Sequence, residues 1–232
     1  MSNFTDEQKL LDPEFTALFD AFAFEETPSA SGLDEHTAYI AILACLIGIQ
    51  GGDKEFRQIL PVALDHGVTP VEAKEIIYQG TAYLGIGRTY QFLDAANDVM
   101  KERGIELPLP PQGTTTRENR REKGTQTQVD LFGERMNDFW KAGGINLMLA
   151  GNCFGDYYTR NGLDYAQREL ITFCYIAAQG GCEPQLRAHT AANFAQGNDK
   201  DFLIKVVLRL VPYLGYPRSL NAIAVINEIA AR

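Results

Sequence analysis

The chain repeats itself once, so whatever it folds into must hold two versions of one unit. Gly32-Leu33-Asp34 recurs as Gly162-Leu163-Asp164, and Tyr83-Leu84-Gly85 as Tyr213-Leu214-Gly215. Gln50-Gly51-Gly52 recurs as Gln179-Gly180-Gly181, while Phe24, Arg88 and Asn97 match Phe154, Arg218 and Asn227. The spacing is 130 residues, and 129 around the Gly-Gly pair. Agreement in order and spacing at one fixed period marks a duplicated structural unit. The copies occupy residues 1–102 and 129–232, and residues 103–128 between them are rich in proline and polar side chains, the composition of a linker. Its Arg117, Arg120, Arg121 and Lys123 read as a solvated connector, or as a partner for the acidic surface of a neighbouring subunit.

Each copy reads as helices. Asp164 is a natural N-cap, apolar residues follow at helical spacing to Gln179, and Gly180-Gly181 breaks the run. Pro184 suits the first turn of the next helix, which stops at Gly197. The pattern predicts helices over 165–179, 184–196, 202–210 and 219–231, and over 34–49, 54–65, 70–83 and 87–102 in the first copy. No alternating strand is present, so the expected class is all-α, a tandem duplication of a helical domain.

Charge and composition narrow the function. Twenty-one basic residues against 30 acidic ones give a net charge of −9, which disfavours nucleic acid and anionic membranes as partners. The most apolar run, residues 37–49, is shorter than the roughly 20 residues a membrane span needs. The N-terminus shows no secretory pattern and the four cysteines form no CxxC, so reduced thiols and a cytoplasmic location are expected. Three scattered histidines without HxxxH disfavour a metal site, and no cofactor motif is present.

Chemistry concentrates in Gly180-Gly-Cys-Glu-Pro-Gln-Leu-Arg-Ala-His189. Cys182 lies at a helix N-terminus, where unpaired N–H groups favour an anion. His189 follows two turns later with Gln185 between, so a thiol, an amide and an imidazole share one stripe. Glu169 sits on the preceding helix, which the Gly-Gly turn folds back toward the imidazole as in a proton relay. By themselves, a helical histidine is ordinarily surface or core and a single cysteine a small buried apolar group. In the first copy, however, Asp53 replaces Cys182, Leu60 replaces His189, and Tyr39 or Ile40 replaces Glu169. Three polar positions lost together fit one copy keeping a site while the other turns structural.

These segments, with Arg168-Glu169-Leu-Ile, Pro212-Tyr-Leu-Gly-Tyr-Pro217 and Phe154-Gly-Asp-Tyr-Tyr-Thr-Arg-Asn-Gly162, resemble the carboxymuconolactone decarboxylase family and its alkylhydroperoxidase-like helical fold. The resemblance covers nearly all of residues 129–232 and is weaker over 20–102, so the chain looks like a tandem-domain member. It implies one of two chemistries. In the hydroperoxidase branch Glu169, Cys182 and His189 match the relay, but the second cysteine is Gln185, so a local disulfide cycle cannot close. Cys153 and Cys174 are expected in the core. In the decarboxylase branch Glu169 and His189 are the expected acid–base pair, Arg160 the carboxylate anchor, and Tyr158, Asp156 and Gln185 parts of the pocket. Arg187 is a second anchor candidate with an expected solvated or intersubunit role.

The resulting expectation is decarboxylation of a small carboxylated lactone without a cofactor. The alternatives are a thiol-dependent peroxidase using Cys182, and a helical assembly module that has lost catalysis. The apolar helices are expected to pack against other copies, in a homo-oligomer that the resemblance suggests is a trimer of tandem chains.

Overall fold

The computed structural model describes residues 2–49 and 52–232, and among these every regular element is helical. The first copy contains α1 (Asp6–Leu11), α2 (Pro13–Ala21), a π-helical turn (Phe22–Glu26), α3 (Thr27–Ser31), α4 (Glu35–Gly48), α5 (Asp53–Asp65), α6 (Pro70–Leu84) and α7 (Ile86–Glu102). Next come α8 (Arg120–Phe132), two 3₁₀ turns (Glu134–Met136 and Phe139–Ala142), α9 (Gly144–Met148) and a π-helical segment (Leu149–Tyr157). The second copy closes with α10 (Tyr165–Gln179), α11 (Glu183–Ala195), α12 (Lys200–Leu214) and α13 (Tyr216–Ala230). The repeat therefore extends to the π-helical turns that hold Phe24 and Phe154. No helix among the described residues is long and apolar enough to cross a membrane.

Local signals explain most boundaries. Asp34 and Asp164 cap α4 and α10, and Asp164 with Gln167 forms a reciprocal capping box. Thr69 and Glu72 do the same for α6. The expected end of α12 at Leu210 is corrected: the helix runs through Pro212 to Leu214 and stops at Gly215, whose φ is +79°.

Helix starts also fix the repeat register. α5 and α11 begin at Asp53 and Glu183, and buried Phe56, Ile59, Leu60 and Ala63 correspond to buried Leu186, His189, Thr190 and Asn193. His189 thus answers to Ile59 rather than Leu60, and Cys182 to Gly52 rather than Asp53. Both α4 and α10 start directly after a capping Asp, so Glu169 answers to Tyr39. The 129-residue spacing rests on Gln50-Gly51-Gly52, of which Gln50 and Gly51 lie outside the described residues.

α4 and α10 form the centre. Residues Ala38–Gly48 and Arg168–Ala178 are buried, as in helices enclosed on all sides. They cross closely at small residues, where a Cβ on Gly48 would lie 2.7 Å from the Ala178 Cβ. The apolar run 37–49 thus packs on the second copy within the chain. The copies also exchange cover: α6 packs on α10, and α12 packs on α3 and α4.

The stretch read as a connector is helical from Arg120 onward. Two of its basic residues are tied within the chain, Arg120 to Asp156 at 2.5 Å and Arg121 stacked 4.1 Å over the Trp140 ring, while Arg117 and Lys123 are exposed. α8 lies so close on the π-helical segment that a Cβ on Gly124 would meet the Ala150 carbonyl oxygen at 1.8 Å.

Candidate functional site

The turn after α10 returns the chain antiparallel as α11, bringing Glu169 against His189. The Glu169 Oε2 lies 2.7 Å from the His189 Nδ1. Glu169 is fully buried and His189 nearly so. A carboxylate at Nδ1 makes that nitrogen the donor and leaves Nε2 for other partners. Asn193 fastens the two helices at this point, its Nδ2 donating to the Glu169 and His189 carbonyl oxygens at 2.9 and 2.8 Å. The imidazole is held edge-on between the rings of Tyr83 and Phe132, each centroid 5.5 Å away.

Behind the carboxylate runs a hydrogen-bond chain. The Tyr158 hydroxyl donates to Glu169 Oε1 at 2.8 Å, so it accepts from the Tyr83 hydroxyl at 2.9 Å and the Thr172 hydroxyl at 2.8 Å. Gln79 Nε2 donates to Thr172 at 2.9 Å, and Arg168 donates to Gln79 Oε1 at 2.7 Å. Burial, with the Glu169 charge nearby, holds the Tyr83 and Tyr158 hydroxyls well above the usual phenol range, so they stay protonated donors. Gln79 and Tyr83 belong to α6, so the first copy completes the second copy's site.

His189 opens on a cavity of about 650 Å³, a size suited to a small molecule. Phe132, Met136, Phe139, Leu149 and Phe154 give it an apolar body. Tyr83, Gln128, Gln185 and His189 supply polar groups, and Arg135 is the one cation among the described lining residues. Arg135 is exposed and forms no ion pair among the described residues. Cys153 also lines the cavity, its thiol pushed up to about 12 by burial and therefore neutral.

The expected site residues separate. Glu169, His189 and Gln185 come together as expected. Tyr158 reaches the site but sits behind Glu169 as its donor and does not line the cavity. Arg160 is turned away: its Nε bonds Glu75 at 2.9 and 3.1 Å, and its guanidinium lies over Tyr78 beside a different cavity. Asp156 pairs with Arg120, and Arg187 with Glu228 at 2.7 Å. Cys182 is the N-cap of α11 as expected, but it lines a separate small recess with Leu186 and Arg218. Its sulfur accepts from Gln179 Nε2 at 2.9 Å. Cys174 is core, as expected; Cys153 is buried yet lines the cavity. The sequence reading missed Tyr83, Gln128, Arg135 and Asn193. Tyr83 alone carried a signal, its recurrence as Tyr213.

In the first copy, a cavity of about 720 Å³ lies at the matching place, lined by Lys54, Glu55, Gln58, Phe19, Pro212 and Tyr213. With Tyr39 and Ile59 at the positions of Glu169 and His189, the described residues place no carboxylate–imidazole pair there.

The pattern of the carboxymuconolactone decarboxylase family matches residues 13–98 and 147–228. The 4-carboxymuconolactone decarboxylase of Acinetobacter baylyi is 32% identical over 92 residues, covering 40% of this chain and 68% of that protein. A solved chain described as a gamma-carboxymuconolactone decarboxylase subunit, from Burkholderia xenovorans LB400, aligns with a TM-score of 0.55 and 20% identity. That alignment covers 97% of this chain and 90% of the other, a likeness of fold.

Proposed function

The chain belongs to the carboxymuconolactone decarboxylase family, and on that premise we propose that its second copy decarboxylates a small carboxylated lactone by side-chain acid–base chemistry. The observation that carries this reading is the buried Glu169–His189 pair, whose imidazole opens on a largely apolar cavity that Arg135, the one cation among its described lining residues, also lines. Arg135, not Arg160, is the anchor that can hold the substrate's carboxylate in that cavity.

In this reading the bond from a ring carbon to the carboxylate breaks and CO2 leaves. The bond's electron pair passes into the conjugated lactone carbonyl. A proton from His189 Nε2 forms a new C–H bond on the ring, and solvent returns a proton to the imidazole. Glu169 touches no substrate; it fixes the ring and offsets the imidazolium charge. Apolar walls keep water from the developing carbanion. The placement of Cys182 speaks against the peroxidase alternative, since it lines a recess separate from the cavity that His189 lines.

The test is CO2 release from 4-carboxymuconolactone, followed beside loss of added peroxide. His189→Ala should lower CO2 release about 100-fold or more, and Cys182→Ser should leave it within about twofold. Peroxide loss that depends on Cys182, without CO2 release, would overturn the proposal.

Association of several chains belongs to the same proposal. Ile86 and Tyr90 on α7, and their repeat mates Tyr216 and Leu220 on α13, are exposed apolar residues at equivalent positions. Such paired faces suit a closed ring, with three chains as the expected number. Light scattering after size exclusion reads that number directly.

A further inference from the structure

Gln128 is an anomaly of the cavity wall. It lies on α8 with its side chain fully buried, yet neither Nε2 nor Oε1 has a hydrogen-bond partner among the described residues. A buried amide normally finds partners, because leaving both ends empty forfeits the bonds it made to water. Gln128 lines the same cavity as His189. Phe132 follows it by one helical turn on the same face, and the Phe132 ring lies 5.5 Å from the imidazole. The orphan amide is therefore one turn of α8 from the ring that packs on the imidazole, and it shares the cavity wall with Leu149, Cys153 and Phe154.

Arg135 follows Gln128 in the 3₁₀ turn after α8 and lines the same cavity, where the proposed function has it hold the substrate's carboxylate. An amide presents one donor and one acceptor in a single plane. A ligand anchored by its carboxylate at Arg135 can satisfy the donor with a ring carbonyl, and the acceptor with an adjacent N–H or O–H.

We infer that Gln128 is the specificity-determining residue of this cavity, recognising a ring carbonyl through Nε2, so that the site takes small cyclic carboxylates bearing a ring ester or ring amide. The inference rests on the decarboxylase reading and sharpens it. The carbonyl oxygen that Gln128 binds is the one on which negative charge gathers as CO2 departs, so the same contact strengthens in the transition state.

Three unreactive probes of nearly one shape separate the contributions, their binding measured by calorimetry. Cyclopentanecarboxylate offers only the anion. 5-Oxotetrahydrofuran-2-carboxylate adds a ring carbonyl, and 5-oxopyrrolidine-2-carboxylate adds a neighbouring N–H as well. The full chain should bind the lactone about tenfold more tightly than the carbocycle, and the lactam at least as tightly as the lactone. Gln128→Leu should collapse the three affinities to within about twofold, with Gln128→Met as the alternative if the leucine variant misfolds. The apo variant should also melt a few degrees higher, about 3 °C, because it no longer buries an orphan amide. Arg135→Ala should weaken all three probes alike and leave the ratios standing.

If the lactone preference survives in both Gln128 variants, or if both melt lower than the parent, Gln128 is not the reader and the inference falls. The decarboxylase reading survives that outcome as long as Arg135→Ala still weakens the carboxylates. If the parent binds none of the three and CO2 release is absent, both fall together.

Discussion

The Glu169 carboxylate and the His189 imidazole meet at 2.7 Å across the α10–α11 pair, and only the imidazole reaches the cavity. In the proposed reaction His189 handles the proton while Glu169 holds the imidazole in place. That division sets the expected behaviour of variants.

Glu169→Gln keeps an oxygen for the Tyr158 hydroxyl but turns an N–H toward His189 Nδ1. The imidazole then loses its countercharge and becomes a weaker proton source. Turnover should fall about 100-fold with KM nearly unchanged, because Glu169 makes no contact in the cavity. A rise in KM with kcat preserved, in steady-state assays of CO2 release, would contradict the assignment.

Tyr158→Phe removes one donor and two acceptor contacts at once, leaving Glu169 Oε1, the Tyr83 hydroxyl and the Thr172 hydroxyl short of a partner. Loss of such a buried hub should cost about 2–3 kcal/mol in urea unfolding and lower turnover. Tyr83→Phe removes the contacts of its hydroxyl with Tyr158, Thr172 and Cys153 but leaves the Tyr158–Glu169 bond standing, and should cost less.

Alkaline pH should unfold the protein early. Burial pushes the Cys45 and Cys153 thiols from an ordinary 9.0 up to about 12. Between those values the unfolded chain has lost protons that the folded chain keeps. Their contribution to stability is therefore complete below about pH 9 and disappears as pH climbs toward 12, at about 1.4 kcal/mol per pH unit for each thiol. The urea midpoint should drop between pH 8 and 10.5, and drop less in a Cys45→Ala, Cys153→Ala double variant. In native protein at neutral pH a thiol reagent should modify half-buried Cys182 and spare buried Cys45, Cys153 and Cys174.

Gly124→Ala should loosen the cavity wall. The added methyl would overlap the Ala150 carbonyl oxygen and the Gly155 backbone nitrogen, both rigid backbone atoms. α8 carries Gln128 and Phe132, so displacing it should abolish probe binding while the α4–α10 centre stays helical by circular dichroism. A variant that binds the lactone probe as the parent does would contradict this account.

The fold was legible where the chain punctuates itself. Asp34, Asp164, Gly180 and Pro184 mark their helices in plain sequence, and the Gly-Gly turn was enough to bring Glu169 onto His189. The part of α8 up to Gln128 reads as a connector because the helix's buried side is Gly124, Thr127, Gln128 and Leu131, which shows almost no apolar period. It is helical because a glycine seam fits the π-helical segment, a tertiary cause. Cys182 was placed on the His189 stripe by extending a helical wheel one residue too far: as N-cap it has φ −127° and ψ 39°, so its side chain leaves the helical progression. Arg160 looked free because its partner, Glu75, lies 85 residues away in the other copy. Arg135 and Gln128 join the cavity through the packing of α8 and the following 3₁₀ turn, which no motif announces.

Tyr83 and Gln79 give the duplication a meaning beyond symmetry. The half without a reactive pair still lends a hydroxyl and an amide to the half that has one, so it cannot decay freely. On the proposed function each polypeptide carries one reaction centre rather than two, and that centre is inherited as a joint product of both halves.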